Sequence, residues 1–220
     1  MKNKNTKFQY LLASILCVGV SNSFALDDSD LQYNSISLGY SSSSVEGYSQ
    51  KVNQLSVGGT YLLNDNIYLG GGLSIATFSR PKVTQVNYAG VDIFVGYRIG
   101  ISRTTDITLS ADYSSTDITE AGYSGITQNA VSAGLGLRSL VSPNIELGTG
   151  VSLVNYQNES TTSSVALSSG TATQFSAGIK YFLSKEFALR GAYGYSSSNS
   201  SNGKTYTSNS VGITGLYYFQ

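Results

Sequence analysis

The stretch Ser56–Ser79, SVGGTYLLNDNIYLGGGLSIATFS, decides the fold. Up to its polar break, Leu55, Val57, Gly59, Tyr61 and Leu63 share one parity, and Gln54, Ser56, Gly58 and Thr60 share the other. After Asn64-Asp65-Asn66, a second apolar face follows: Ile67, Leu69, Gly71, Leu73 and Ile75. Strict alternation gives a strand two unlike faces. Asn and Asp tolerate turn geometry and bond their own backbone. The stretch therefore reads as a β-hairpin.

The same unit returns over residues 91–113, 131–153 and 175–195. Its second strands begin near Asn66, Asp106, Asn144 and Glu186, a period of about 40 residues, which marks one supersecondary unit repeated. Single strands flank the four hairpins at Asn34–Ser41 and Ser210–Gln220, giving ten. The connectors alternate in length. Short ones span Leu63–Asn66, Gly100–Thr105, Leu140–Asn144 and Leu183–Glu186. Long ones, rich in Ser, Thr, Asn and Gly, span Ser42–Lys51, Ser79–Gln85, Ser115–Gly125, Gln157–Thr171 and Ser196–Lys204. Short turns at one end and long loops at the other suit a transmembrane β-barrel.

Composition agrees. Only 12% of residues are charged and 11% are aromatic, with 24 Gly and 17 Tyr. Residues 1–25 read as a secretory signal: Lys2, Lys4 and Lys7, an apolar core from Phe8 to Val20, then Ser23 and Ala25 at the small-residue positions before cleavage. Residues 26–220 form the barrel domain, with no Cys, His, Met or Trp and 10 basic against 13 acidic residues. Disulfides and thiolate metal sites are excluded there.

A soluble sandwich also alternates, so the position of charge discriminates. Asp92, Arg98, Asp112, Arg138, Glu146, Lys180 and Arg190 all fall on the face opposite the Leu/Ile/Val/Tyr face. That polar face is otherwise Ser, Thr, Gly and Gln, which suits a confined lumen rather than a wet exterior. On the apolar face, Tyr61, Tyr97, Tyr181, Phe187, Tyr217 and Phe219 lie near the short-turn end, and Tyr40, Tyr113, Phe175 and Tyr195 near the loop end. Two such bands are expected of rings at two bilayer interfaces. A sheet edge cannot stay bare in lipid, so the sheet must close.

The signal, the repeated hairpins and the terminal VGITGLYYF resemble the small bacterial outer-membrane β-barrel proteins of the OmpA/OmpX/Opa-like group. The resemblance implies insertion in the outer membrane of a Gram-negative-type cell among lipid and lipopolysaccharide. It also implies that Phe219 is the aromatic read by the barrel-assembly machinery, although Gln220 follows it.

Inside the barrel, Arg98, Arg138, Glu146, Lys180 and Arg190 lie four or five residues from a turn and should cluster near the periplasmic end. Arg138 and Glu146 are the expected salt bridge, with Lys180 able to share Glu146. Asp92 and Asp112 lie about ten residues from their turn, roughly 25 Å up a tilted strand. The cluster is either a selectivity constriction or paired charge filling the lumen. The second is favoured, because a small barrel has room for little beyond its own side chains.

No histidine is present, which removes Ser-His-Asp catalysis and His-ligated metals. No cofactor or nucleic-acid partner is implied. Arg80 and Lys82 in the second outer loop are candidates to grip lipopolysaccharide phosphates, and loop tyrosines Tyr48, Tyr123 and Tyr206 are candidate adhesive contacts. The expected fold is an all-β, antiparallel up-and-down transmembrane barrel of ten strands, with eight or twelve as register alternatives. The expected function is non-enzymatic: structural, or adhesive toward a host or surface ligand through the loops. A narrow porin-like channel is the alternative.

Overall fold

Each alternating run becomes a strand, and the strands close into a ring of ten. The computed structural model describes residues 31–46, 51–78, 86–120, 125–161, 166–201 and 203–219. The expected signal segment, Arg80, Lys82, Tyr48 and Tyr123 lie outside them. In order the strands are β1 (Ser35–Val45), β2 (Lys51–Leu62), β3 (Ile67–Phe78), β4 (Val86–Ser102), β5 (Thr105–Glu120), β6 (Ile126–Ser142), β7 (Ile145–Ser160), β8 (Ala166–Phe182), β9 (Phe187–Ser200) and β10 (Thr205–Tyr218). Every strand pairs antiparallel with its chain neighbours, and β1 pairs with β10 to close the barrel.

Two turn devices serve the short end. At Leu63–Asn66 the Asn64 side-chain oxygen accepts from the Asn66 and Ile67 amides at 3.0 and 2.9 Å. At Leu183–Glu186 the Ser184 hydroxyl does the same for Glu186 and Phe187 at 3.1 and 3.2 Å. The other two turns are tighter than the sequence suggests. Arg103-Thr104 and Pro143-Asn144 suffice, because register shifts at Gly100/Ser102 and Leu140/Ser142 absorb a residue each.

The lipid face is the expected one. Ile36, Leu38, Leu73, Ile75, Ile93, Leu135, Leu153 and Ile213 all point outward and are exposed on the isolated chain. Tyr61, Tyr97, Tyr181, Phe187, Tyr217 and Phe219 are exposed at the short-turn end. Phe187 and Tyr217 pack at 5.0 Å.

The long loops differ from expectation. Strands continue through half or more of Ser42–Lys51, Ser115–Gly125, Gln157–Thr171 and Ser196–Lys204. Strands of 17 residues tilted by about 40° rise roughly 43 Å, well beyond an apolar band of about 25 Å. Above that band the polarity inverts. Val86, Tyr88, Ile118, Ile126, Val154 and Tyr156 turn inward and are buried, while Asn87, Asp117, Thr119, Asn155 and Gln157 face out. The barrel is polar inside where lipid surrounds it; above, apolar side chains enter the interior beside buried Gln128, Asn158, Ser196 and Ser198. Tyr206 belongs to this upper core. It lies in β10 and packs on the buried apolar cluster, so it is not a loop contact.

Candidate functional site: the filled lumen

Lumen-facing side chains form three levels, which the strand registers stack in order from the short-turn end. The lowest is a charged floor. Arg138, 0% exposed, donates from Nε and Nη2 to both oxygens of Glu146 at 2.9 and 2.8 Å. Lys180 Nζ donates to the same carboxylate at 3.1 and 3.0 Å. The register places Arg138 opposite Gly148 rather than opposite Glu146, so the pair is diagonal, while Glu146 and Lys180 stand face to face. Arg190 lies opposite Lys180. Arg98 reaches Asp106 at 3.6 Å, and its Nε donates to the Asp65 carbonyl in the turn below.

Aromatic rings seal this floor. Tyr33 stacks on Tyr68 at 5.0 Å, and Tyr68 meets Phe94 edge-on at 6.1 Å. The Arg138 and Arg98 guanidinium groups lie 5.3 and 5.9 Å from the Tyr33 ring centre. Lys180 Nζ sits 5.5 Å from both the Phe182 and Tyr218 rings. Cation–π contacts of this kind gain strength where water is excluded.

The middle level is a chamber of about 200 Å³ walled by small polar residues, among them Ser56, Ser74, Ser114, Ser152, Gly134 and Thr214. Asp92, Asp112 and Arg190 also line it. Asp112 accepts from Ser132 at 2.8 Å and from Ser110 at 3.4 Å. The register sets Asp92 opposite Ser114 and Asp112 opposite Phe94, which makes the two carboxylates diagonal neighbours.

The top level packs apolar side chains above the chamber. Val52, Ala76, Phe78, Val86, Tyr88, Ile118 and Ile126 form one buried cluster, and Ala130, Val154, Tyr156 and Ala172 another. Between them a polar relay runs from Gln128 to Asn158 at 2.9 Å and from Asn158 to Ser168 at 2.9 Å.

All seven lumen charges named from the sequence face inward. Five of them gather at or beside the floor and two lie in the chamber. Sequence reasoning missed Asp106, Tyr33 and the upper core. Asp106 shares its parity with Thr108, Ser110 and Asp112.

A closed barrel with a lipid-facing exterior, two aromatic bands and no charge on its apolar outer band defines a membrane-spanning β-barrel. Residues 65–219 match the model of the outer membrane protein beta-barrel domain, and the chain belongs to that family. Its place is the outer membrane. No curated protein matches the chain. Among solved structures, it is similar to an outer-membrane channel from Pseudomonas putida F1 (TM-score 0.50, 12% identity, covering 91% of this chain and 98% of that one). It is also similar to the translocator domain of the autotransporter NalP from Neisseria meningitidis (TM-score 0.48, 13% identity, covering 98% and 95%). A third is the outer membrane protease OmpT from Escherichia coli (TM-score 0.46, 14% identity, covering 84% and 97%). At these identities the likeness is one of fold.

Proposed function

We propose that this barrel is a non-enzymatic, non-conducting outer-membrane protein whose work falls to its outer rim. One observation carries the reading: the lumen is packed at two levels. Inward side chains of the floor and of the upper core, from Arg138 and Asp106 to Phe78, Ile118 and Asn158, are shut off from a water-sized probe. An ion needs a continuous wet path, and two packed levels lie across it. What remains exposed among the described residues is the polar collar formed by the strand extensions. A rigid, packed scaffold suits the display of such segments. On this reading Arg80 and Lys82, between β3 and β4 in sequence, meet lipopolysaccharide phosphates, and Phe219 serves assembly.

The test is conductance of the refolded mature protein in a planar bilayer, beside heat-modifiable gel migration to confirm folding. A folded, silent barrel is the expected result. Steady, salt-dependent openings that change with Arg138→Ala would instead establish a narrow channel lined by the charged floor.

A further inference from the structure

Residues 31–34 enter β1 from inside the barrel. Asn34 is held at the base, where its side-chain oxygen accepts from the Leu62 amide at 2.8 Å and its carbonyl accepts from the Phe219 amide at 3.0 Å. Upstream of Asn34 the chain turns toward the lumen. Tyr33, 2% exposed, joins the inward cluster of Tyr68 and Phe94. Leu31 is 1% exposed. Among the described residues no large lipid-facing side chain is buried, so a leucine this buried faces inward with Tyr33, two residues on.

We propose that Leu31–Tyr33 is a stopper: the floor of the chamber is closed against the periplasm by this segment, and its withdrawal opens the chamber to small hydrophilic solutes from that side. The inference rests on the reading of the lumen as closed. Three observations carry it. The Tyr33 ring occupies the axis of the floor, reached by Arg98 from β4 and Arg138 from β6. The segment belongs to no strand, so removing it breaks no ladder of the barrel wall. Its own seat is imperfect: the Tyr33 hydroxyl and the Gln32 amide oxygen are buried without a protein hydrogen-bond partner. Burying such groups opposes the gain from burying Leu31 and the Tyr33 ring. The balance leaves the segment more weakly held than the wall it plugs.

A chamber thiol reports the state of the stopper. The chain's one cysteine, Cys17, lies in the expected signal segment. In the mature protein Ser114→Cys, which lines the chamber, is therefore a unique thiol. Iodoacetamide, small and uncharged, is the probe, applied to the refolded full mature chain. The Ser114→Cys thiol should react slowly. Adding Leu31→Ala and Tyr33→Ala should speed it by about tenfold or more, the signature of opened access, while adding Tyr33→Phe should leave it slow. Adding Tyr156→Ala, which thins the upper core instead, separates the two closures. If that variant alone speeds labelling, the stopper is refuted although the closed-lumen reading stands. Fast labelling of the Ser114→Cys barrel itself would refute both. Should the double alanine variant fail to fold, Leu31→Cys in the otherwise unchanged mature chain answers alone. Protection of that thiol relative to Asn144→Cys, at an exposed turn position, supports the stopper, and equal rates overturn it.

Discussion

Replacing Glu146 by Gln keeps the volume of the side chain and removes one negative charge from the floor. In the intact protein this carboxylate receives two hydrogen bonds from Arg138 and two from Lys180, all within 3.1 Å. The floor holds four cations, Arg98, Arg138, Lys180 and Arg190, against two anions, Asp106 and Glu146. Glu146→Gln leaves four against one, with Arg138 fully buried. Removing one member of a buried ion pair costs about 3–5 kcal/mol, because the partner stays desolvated and uncompensated. The folded-to-unfolded ratio should then fall by roughly two to three and a half orders of magnitude. Urea unfolding in lipid vesicles, read by the heat-modifiable band, measures it. A triple variant sharpens the argument. Arg138→Met, Glu146→Leu and Lys180→Met removes the charge along with the need to pair it, and should regain most of the loss. A Glu146→Gln cost below about 1 kcal/mol, the range of solvated surface pairs, would mean that water reaches the cluster. The floor would then not be a seal.

Three other substitutions test separate parts of the structure. Leu73→Arg, on the lipid face at 60% exposure in the isolated chain, should cost about 2–4 kcal/mol of vesicle stability; a neutral result would place that face in water. Gly96→Ala should cost about 1–3 kcal/mol by overpacking, since its new methyl group runs into the Tyr68 ring. Gly191→Ala, whose nearest neighbour would be Ile179 at 3.9 Å, should stay within about 0.5 kcal/mol, and equal costs in the two glycine variants would refute the packing account. Asp112→Asn keeps the acceptor that Ser132 and Ser110 use and relieves its repulsion with Asp92, so the refolding yield should be unchanged or higher.

The lipid band was legible because one rule, alternation, holds wherever lipid surrounds the strand. Ile67, Leu69, Leu73 and Ile75 announced an outer face, and the parity of Arg98, Arg138 and Glu146 placed them within. Two kinds of information escaped. One was register: the shift at Leu140/Ser142 sets Arg138 opposite Gly148 and diagonal to Glu146, and parity within a strand cannot report the offset between strands. The other was the upper barrel. There Ser, Thr and Asn occupy outward positions because water is outside, and the same residues are common in loops. Tyr88, Ile118, Tyr156 and Tyr206 keep the period of two through that region with the opposite sense. A search for alternation that allowed the apolar parity to switch would have found it. Leu31 and Tyr33 had no such signal, since a segment of four residues is too short to carry a period.

The glycine content and the packed lumen have one origin. Tyr68 stands directly opposite Gly96, Phe94 opposite Gly70, and Tyr156 opposite Gly170. In each pair the ring covers the space where a Cβ on the facing glycine would sit. An inward ring in a narrow barrel cannot extend along the radius without meeting side chains from the far wall. It lies instead across its neighbouring strand, which must then be bare, the cross-strand device of aromatic over glycine. Each inward glycine of this kind is thus half of an aromatic contact rather than an opening in the wall. The feature that first suggests a roomy interior, many glycines on the polar parity, is what lets large rings close it. Mean hydropathy near zero, at −0.04, follows from the same plan. Only alternate residues in the middle of each strand meet lipid, and their apolar character is offset by hydroxyls and charges turned inward and by the polar collar above.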